Sequence, residues 1–314
     1  MSEPIVQVNN LVRTFGDVRA VDGVSFNIEA GQVVGFIGEN GAGKTTTMRM
    51  MVTLDLPNEG NIKVCGFDTV NHPNEVRKKV GWMPDSYGAY DSMDVWEYMD
   101  FFGRAYGYSG KELDLRVGEV MEFTELNPLK DRPVKHLSKG QKQRLCLART
   151  LVPDPEVLVL DEPAAGLDPR ARIDVKNLVR VLAEEKKTLF ISSHILSELE
   201  QMCDALLFIN KGRIVHQGSS DSLKGKEGET AHLRIRFSRE VDLREWCSFQ
   251  QGVEFLEQDK AGARVRIENA TLDSLHALLK KLIEQDLPVC GYFREEVRLE
   301  DAFVDLLNTT EGKA

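Results

Sequence analysis

Residues 31–46 read "GQVVGFIGENGAGKTT", an apolar run that leads into a glycine-rich loop and then into a helical pattern. A continuous apolar run is typical of a strand that is covered on both faces in a mostly parallel sheet. The loop fits the spacing G-x-x-x-x-G-K-[ST], whose fixed positions here are Gly38, Gly43, Lys44 and Thr45. Because this spacing requires a strand before it and a helix after it, the stretch predicts an α/β fold with a phosphate-binding loop.

The residues of the loop indicate how it holds phosphate and a divalent cation. Gly41 and Gly43 let the backbone wrap around an anion with its N–H groups pointing inward. We expect the Lys44 ammonium to reach the β- and γ-phosphates of a nucleotide and the Thr45 hydroxyl to hold Mg²⁺. The other predicted binding residues of the loop are Gly38, Asn40, Ala42 and Thr46.

Two carboxylates follow a second buried strand, in "EVLVLDEP" at residues 156–163. Ligands usually bind at the carboxyl edge of such a sheet, so we expect Asp161 to be a Mg²⁺ ligand there. Glu162 suits a base that orients and polarises water. Two acids after a strand are a weak signal by themselves, and their combination with the phosphate-binding loop makes the prediction specific.

A second candidate anion site lies in "LSKGQKQRLCLART", residues 137–150. Ser138 is suited to cap a helix, and Gly140 and Gln141 follow it. Free N–H groups and the helix dipole attract anions to such a helix start. The chain therefore carries two candidate phosphate sites but only one loop of the Lys44 type.

Composition and charge describe a globular protein of one large domain or two ordinary ones, 314 residues in all. The net charge of −10 disfavours bulk nucleic-acid binding, so we expect no nucleic-acid partner. No apolar run approaches the roughly 18 residues of a transmembrane helix, and the first residues do not resemble a signal peptide. The five scattered cysteines indicate reduced thiols.

The pattern of segments predicts two domains. Residues 1–218 alternate strands and helices, with a helix-rich insertion at about residues 87–150, and two of the predicted helices are Lys44–Leu54 and Ile173–Glu185. The composition of residues 219–230 is typical of a linker. Residues 231–314 alternate apolar and polar positions and then show a helical stripe from 272 to 283, which predicts a small α+β domain.

With these residues in place, the chain resembles the nucleotide-binding subunit of an ABC transporter over residues 5–218. "LSKGQ" resembles the family signature, and "AGLD", which ends at Asp168, resembles the D-loop. His194 in "ISSHILSE" resembles the switch histidine. Phe15 in "VRTFGD" resembles the aromatic residue that stacks on adenine. Five motifs in the family's order make the resemblance specific.

The resemblance implies an ABC cassette of the P-loop NTPase fold: a mostly parallel core sheet, an antiparallel N-terminal β portion and a helical insertion. It implies ATP and Mg²⁺ as cofactors, with Glu162, His194 and Lys44 as catalytic residues. Ser138, Gly140, Gln141 and Asp168 would complete the nucleotide site of a second cassette, in a homodimer. The other partner would be a separate membrane permease, which would hold the chain on the cytoplasmic face of the cell membrane.

Two positions depart from the family's pattern. Lys139 stands where the signature commonly has glycine, while the residues around it are retained. In "GWMPDSYG", Asp85 stands where the family usually has the glutamine of the Q-loop. An acid there can approach Mg²⁺ as a further ligand, but it adds negative charge beside the phosphates.

The end of the chain refines the expected class of transporter. "LEDAFVDLL" at residues 299–307 resembles the end of ATPase subunits that serve ABC-2 type exporters, including drug and polysaccharide exporters. We therefore expect export, and we expect a regulatory role for the C-terminal domain. Candidate permease contacts are Tyr87, Tyr90, Met93 and Trp96, although Trp96 and Tyr98 fit a helix core equally well.

The alternative is an ABC ATPase that acts on ribosomes or DNA rather than on transport. The ribosome-binding type carries two cassettes in tandem, whereas this chain has one phosphate loop. The DNA-repair type inserts a long coiled coil between the loop and the signature, for which the interval from Lys44 to Ser138 is too short. A GTPase would need an N-K-x-D base reader, and "NKGR" at Asn210 lacks the aspartate.

Overall fold

The computed structural model describes residues 3–86, 88, 92–199, 202–219 and 230–295. The chain divides into two compact units, Met1–Ser219 and Ser220–Ala314. Most of the predicted linker and the whole of "LEDAFVDLL" lie outside the described residues. Within the described part of the chain, no helix is both long and apolar enough to cross a membrane.

The first unit contains ten strands and seven α-helices among its described residues, with two short 3-10 helices at Asn127–Leu129 and Val134–His136. Its strands are β1 (Val6–Phe15), β2 (Val18–Ile28), β3 (Val33–Ile37), β4 (Glu59–Val64), β5 (Phe67–Asp68), β6 (Val80–Met83), β7 (Val157–Leu160), β8 (Thr188–Ser193), β9 (Ala205–Asn210) and β10 (Arg213–Gly218). Its helices are α1 (Lys44–Met51), α2 (Pro73–Lys79), α3 (Val95–Ala105), α4 (Gly110–Phe123), α5 (Lys139–Leu151), α6 (Pro169–Glu184) and α7 (Leu196–Leu199).

The central sheet has six strands in the order β10-β9-β3-β8-β7-β6, of which all but β10 run parallel. Every residue of β3, β7 and β8 is buried, as expected for strands covered on both faces. In the register, Ile37 lies opposite Ser193, and Leu160 lies opposite both Ile191 and Met83. The strand ends that lead into the phosphate loop and the acids therefore meet at one edge.

A second, antiparallel sheet has the order β2-β1-β4-β5. Its inner face packs on the central sheet through Phe26, whose ring stacks on Phe190 with centroids 5.4 Å apart. Phe36 joins the same cluster, with its ring 5.0 Å from Phe190 and 6.2 Å from Phe26. This sheet is the antiparallel N-terminal portion predicted from the sequence.

The insertion between β6 and β7 contains the helices α3, α4 and α5, joined by turns and loops. Asp94 and Glu97 form a capping box that begins α3. Gly103 on α3 lets α4 approach closely, since a Cβ there would lie 2.2 Å from Leu113 Cδ1. Tyr98 is buried, with its hydroxyl 3.2 Å from Nη1 of Arg149, so the helix-core alternative is correct for this residue.

Of the other candidate permease contacts, Met93 and Trp96 are half-buried. Tyr87 and Tyr90 lie outside the described residues. The proposed docking role of these positions therefore stays a prediction.

The second unit is a β-α-β-β-α-β arrangement with the antiparallel sheet order β12-β13-β11-β14, which is the ferredoxin-like topology. Its elements are β11 (Thr230–Phe237), α8 (Arg244–Ser248), β12 (Val253–Asp259), β13 (Gly262–Glu268), α9 (Leu272–Glu284) and β14 (Val289–Glu295). Alternate residues of β11, namely Leu233, Ile235 and Phe237, are buried in the core of the unit, as predicted. Helix α9 buries Leu275, Leu278 and Leu282. Leu272 is 83% exposed, so the apolar stripe predicted from 272 to 283 includes residues that are not buried.

Candidate nucleotide-binding site

The phosphate loop connects the end of β3 to the first residue of α1, and its glycines are required by its geometry. Gly41 and Gly43 adopt φ values of 82° and 108°, which favour glycine. A Cβ added at Gly43 would lie 2.4 Å from the carbonyl oxygen of Ala20. At Gly38 it would lie 2.4 Å from the carbonyl oxygen of Ile209. The loop is therefore held from behind by main-chain atoms, and a side chain at either position would displace it.

Lys44 is the first residue of α1, and its side chain is buried against the phosphate loop. Its Nζ donates hydrogen bonds to the carbonyl oxygens of Gly38, at 2.6 Å, and Glu39, at 3.2 Å. The same Nζ lies 3.5 Å from Oε1 of Glu162. Asn40 and Gly41 are exposed at the tip of the loop. The ammonium thus connects the loop to the acid at the end of β7.

Asp161 is fully buried and lies beside Thr45. Thr45 Oγ1 donates to one carboxylate oxygen at 2.7 Å, and Ser192 Oγ donates to the other at 2.5 Å. Burial raises the pKa of the Asp161 carboxyl, the two hydroxyl donors oppose this, and the nearby charges of Asp85 and Glu162 raise it further. A buried carboxylate beside a hydroxyl and two further acids fits a hard cation such as Mg²⁺, which prefers oxygen ligands.

Glu162 follows Asp161 with a backbone φ of 49°, which is uncommon for a residue with a side chain. Its N–H donates to Ser192 Oγ at 2.8 Å, and this bond holds the turn. Nδ1 of His194 lies 2.8 Å from Oε2 of the carboxylate. Oε1 is buried and makes no hydrogen bond with any residue in the described ranges. The side chain is therefore held at one oxygen and available for hydrogen bonding at the other.

Ser192 is a member of this cluster that the sequence analysis missed. Its hydroxyl accepts from Glu162 and donates to Asp161, so it joins the two acids. The available signal was a serine within the buried strand β8, because a polar side chain in such a strand requires a partner.

Asp85 lies after the end of β6 with an exposed side chain. Its Oδ1 accepts a hydrogen bond from the N–H of Ser86 at 2.6 Å. It is near enough to Asp161 to raise the pKa of that carboxyl. The structure places it at the expected edge, and its role as a metal ligand stays a prediction.

The signature residues form a separate cluster at the start of α5. Ser138 and Gln141 form a capping box: Ser138 Oγ accepts from the Gln141 N–H, and Gln141 Oε1 accepts from the Ser138 N–H. Asp168 caps α6 by accepting from the N–H groups of its first turn. The two caps line one cavity of about 400 Å³. We call Lys44, Thr45, Asp161, Glu162, Ser192 and His194 the Lys44 cluster. None of these residues lines that cavity. The structure thus confirms the helix start predicted at Ser138.

Phe15 lies at the end of β1 with its side chain 46% exposed. The guanidinium carbon of Arg13 lies 4.5 Å from the centre of its ring. An exposed ring with a cation at one face is suited to stacking and is not part of the core.

The loop, the paired acids and the exposed ring define the class of protein as a nucleoside-triphosphate hydrolase of the phosphate-loop fold. Residues 21–165 match the family model described as ABC transporter. The chain belongs to this family, as one of its ATP-binding proteins.

The relatives show how much of the chain is shared. The Nod factor export ATP-binding protein I of Ralstonia nicotianae is 38% identical over 222 residues, which cover 71% of this chain and 69% of the relative. The ABC transporter ATP-binding protein YcbN of Bacillus subtilis is 34% identical over 311 residues, which cover 97% of each chain. The solved ADP conformation of MJ1267, an ATP-binding cassette of an ABC transporter, is 27% identical and covers 69% of this chain and 92% of that one, with a TM-score of 0.64.

Membership confirms the predicted fold class, with ATP and Mg²⁺ as the nucleotide and metal. The chain is an ATP-hydrolysing subunit that drives a membrane permease, and such subunits work as a pair of cassettes. The residues present fit this chemistry, because oxygen ligands and the buried Lys44 ammonium meet at the carboxyl edge of the central sheet.

Proposed function

We propose that this chain powers export through a separate permease, from the inner, cytoplasmic face of the cell membrane. The observation that carries the proposal is the Glu162 carboxylate, held between His194 and the buried Lys44 at the end of a strand. Similarity to a Nod factor export ATP-binding protein supports the direction of transport. The resemblance of the chain's end to ABC-2 type exporters supports the same direction.

The loop and its neighbours bind the nucleotide. Lys44 holds the β- and γ-phosphates, and the backbone N–H groups from Gly38 to Thr46 surround them. Thr45 and Asp161 would hold Mg²⁺, and Asp85 would add negative charge near the same ion. When bound, Mg²⁺ supplies positive charge that stabilises the phosphate oxygens.

Glu162 acts on the attacking water. His194 fixes the carboxylate through Oε2. Oε1, which accepts no hydrogen bond from the described residues, accepts a hydrogen bond and then a proton from the water. The ammonium of Lys44 lies 3.5 Å from Oε1, so the loop and the acid meet at this oxygen. Hydrolysis therefore depends on the Glu162 carboxylate, whose position beside His194 is set by the register of β7 and β8.

The signature cluster completes the site of a second copy of the chain. The start of α5, where Ser138, Gly140 and Gln141 lie, presents the positive end of the helix dipole, which suits a γ-phosphate. In a homodimer each chain supplies Lys44 to one nucleotide and Ser138 to the other. Asp168, on the same cavity as Ser138, lies at this interface.

The direction of transport is tested in cells that carry Glu162→Gln in place of the unchanged protein. Growth medium and cell extracts of the two strains are compared by mass spectrometry. Export predicts a compound that is depleted from the medium and accumulates in the variant cells. A compound that is instead retained in the medium and depleted from the cells would indicate import and overturn the proposed direction.

Phe15→Ala is expected to weaken ATP binding more than it changes turnover at saturating ATP. Stacking of an aromatic ring on a base contributes roughly 1–3 kcal/mol, which corresponds to a Kd raised by roughly 5-fold to 150-fold. Titration with a fluorescent ATP analogue measures the affinity. Phe101→Ala, at a similarly exposed ring on α3, is the matched control and should bind normally. An unchanged Kd for Phe15→Ala would remove Phe15 from the adenine site.

Removal of all residues after Gly218 is expected to leave ATP binding intact. We propose that the nucleotide-binding domain ends there, that residues 219–230 are a linker, and that residues 231–314 form a regulatory domain. All residues assigned to the nucleotide precede the cut, and the cores on either side of it are separate clusters. Nucleotide titration and thermal unfolding of the shortened chain check this. A shortened chain that unfolds cooperatively but does not bind ATP would place the boundary elsewhere.

A further inference from the structure

Arg144 lies on α5, the helix that Ser138 begins, and its guanidinium is paired on both sides. Nη1 donates to Oε2 of Glu125 at 2.7 Å, and Nη2 donates to Oδ2 of Asp174 at 2.5 Å. Only 19% of the Arg144 side chain is exposed. We call these three residues the Arg144 clamp.

The clamp joins the two helices whose starts carry the signature cluster. Asp174 lies on α6, which Asp168 caps, and Arg144 lies on α5. Nearer the start of α5, a Cβ added at Gly140 would lie 2.7 Å from Cβ of Ala171, so the two helices approach closely there. The ion pair is therefore the polar connection that fixes α5 on α6 beside this close approach.

The clamp also lines the cavity that Ser138 and Asp168 share. The guanidinium is planar and presents its N–H groups in a fixed fork, which allows it to span two carboxylates with defined geometry. A lysine would place a single point charge there and would hold one acid or the other. The clamp is therefore suited to fixing the distance between α5 and α6, in addition to neutralising the charge of the two acids.

We propose that Arg144 is a positioning residue for the hydrolysis of ATP bound to the partner cassette. It does not touch the nucleotide, and it acts by holding Ser138 on α5 at a fixed position relative to Asp168 on α6. The inference rests on the shared site of the proposed function. Displacement of a binding group by about 1 Å costs up to about 10²-fold in rate, so loss of the clamp should slow hydrolysis strongly.

The two acids of the clamp should contribute unequally. Glu125 is 71% exposed, so its pair with Arg144 is screened by water, whereas Asp174 is 35% exposed and lies on the helix that Asp168 caps. Asp174→Asn should therefore slow hydrolysis more than Glu125→Gln. An equal effect of the two substitutions would contradict a clamp that acts between α5 and α6.

The first experiment measures ATP affinity and turnover of the full-length Arg144→Met and Arg144→Lys variants. Turnover should fall by about 10-fold to 100-fold for Arg144→Met and less for Arg144→Lys, with ATP affinity unchanged because the Lys44 cluster is intact. Arg104→Met is the matched control, because Arg104 makes two hydrogen bonds to Asp100 on the exposed side of α3. Turnover of Arg144→Met equal to that of this control, or a loss of ATP affinity, would overturn the proposal.

The second experiment separates positioning from a general loss of structure. A mixture of Arg144→Met chains with Lys44→Ala chains should regain hydrolysis, because one shared site then combines an intact Lys44 with an intact clamp. The reference mixture is Lys44→Ala with Ser138→Arg. If the reference mixture recovers and the Arg144→Met mixture does not, the clamp proposal is wrong. If the reference mixture itself fails, the shared site of the proposed function is wrong.

Thermal unfolding accompanies both experiments. If Arg144→Met does not fold, Asp174→Asn replaces it in the mixture with Lys44→Ala, since the amide keeps the size of the side chain. Recovery by that mixture supports the clamp, and its failure beside a recovering reference mixture overturns it.

Discussion

A full-length chain with Glu162→Gln is expected to bind ATP normally and to hydrolyse it about 10²–10⁴-fold more slowly than the unchanged protein. The amide keeps the size of the carboxylate and leaves the Lys44 and Thr45 contacts with the loop and Asp161 in place. It cannot accept a proton from water, which is the role proposed for Oε1. Phosphate release at saturating ATP measures turnover, and titration with a fluorescent ATP analogue measures affinity.

The matched control is Glu156→Gln, just before the other end of the same strand, β7. Glu156 pairs with Lys79 at the surface, and surface pairs contribute little to stability, so this variant should hydrolyse ATP normally. Near-normal turnover of a folded Glu162→Gln protein would remove Glu162 from the role of base. A loss of ATP affinity would instead show that its charge serves binding.

A mixture of Lys44→Ala chains and Ser138→Arg chains is expected to hydrolyse ATP although neither variant does so alone. Lys44→Ala removes the ammonium that reaches the phosphates, and Ser138→Arg places bulk at the capped start of α5. In a mixed dimer, one site carries both defects and the other carries none. About half of the dimers are mixed, and each mixed dimer carries one intact site. About a quarter of all sites should therefore be intact, compared with all sites in the wild-type protein.

Two measurements check the mixture. Phosphate release reports hydrolysis, and light scattering reports ATP-dependent dimerisation, which is needed because the two sites of a pair can be cooperative. If each chain used its own signature, every site would carry a defect and neither measurement would recover. Failure of both, with each variant folded, would rule out the shared site.

Local chemistry explains which parts of the site were predictable from the sequence. The glycine spacing of the phosphate loop and the capping box at Ser138 depend on residues only a few positions apart. The strands β3 and β7 are continuous apolar runs, and their buried environment follows from that pattern. Each of these features can therefore be predicted from a short stretch of sequence.

Contacts between strand ends were not predictable in the same way. The pairing of Glu162 with His194 depends on the register that sets Leu160 opposite Ile191, and no local pattern contains that register. The Arg144 clamp likewise joins residues from three separate segments. Distances of this kind arise only when the sheet and the helices have packed.

Helix ends and an edge strand were also partly missed. Helix α1 ends at Met51 rather than at Leu54, and Thr53 adopts a left-handed φ of 66° just beyond it. Helix α6 begins at Pro169 rather than at Ile173, because Asp168 caps it and proline is favoured at the first helical position. Strand β12 lies at the edge of its sheet, where its charged residues are exposed and its apolar residues are half-buried, and it gave no clear strand pattern.

Gly38 and Gly43 of the phosphate loop face main-chain oxygens of neighbouring strands, and this has a consequence for how the protein can evolve. The carbonyl oxygen that Gly43 approaches belongs to Ala20, whose own side chain plays no part in the approach. Position 20 can therefore change its amino acid over generations while the loop keeps its shape, provided that β2 remains a strand. Gly43 has no such freedom. The shape of the loop thus depends on glycine at positions 38 and 43 and, at position 20, on the path of the backbone.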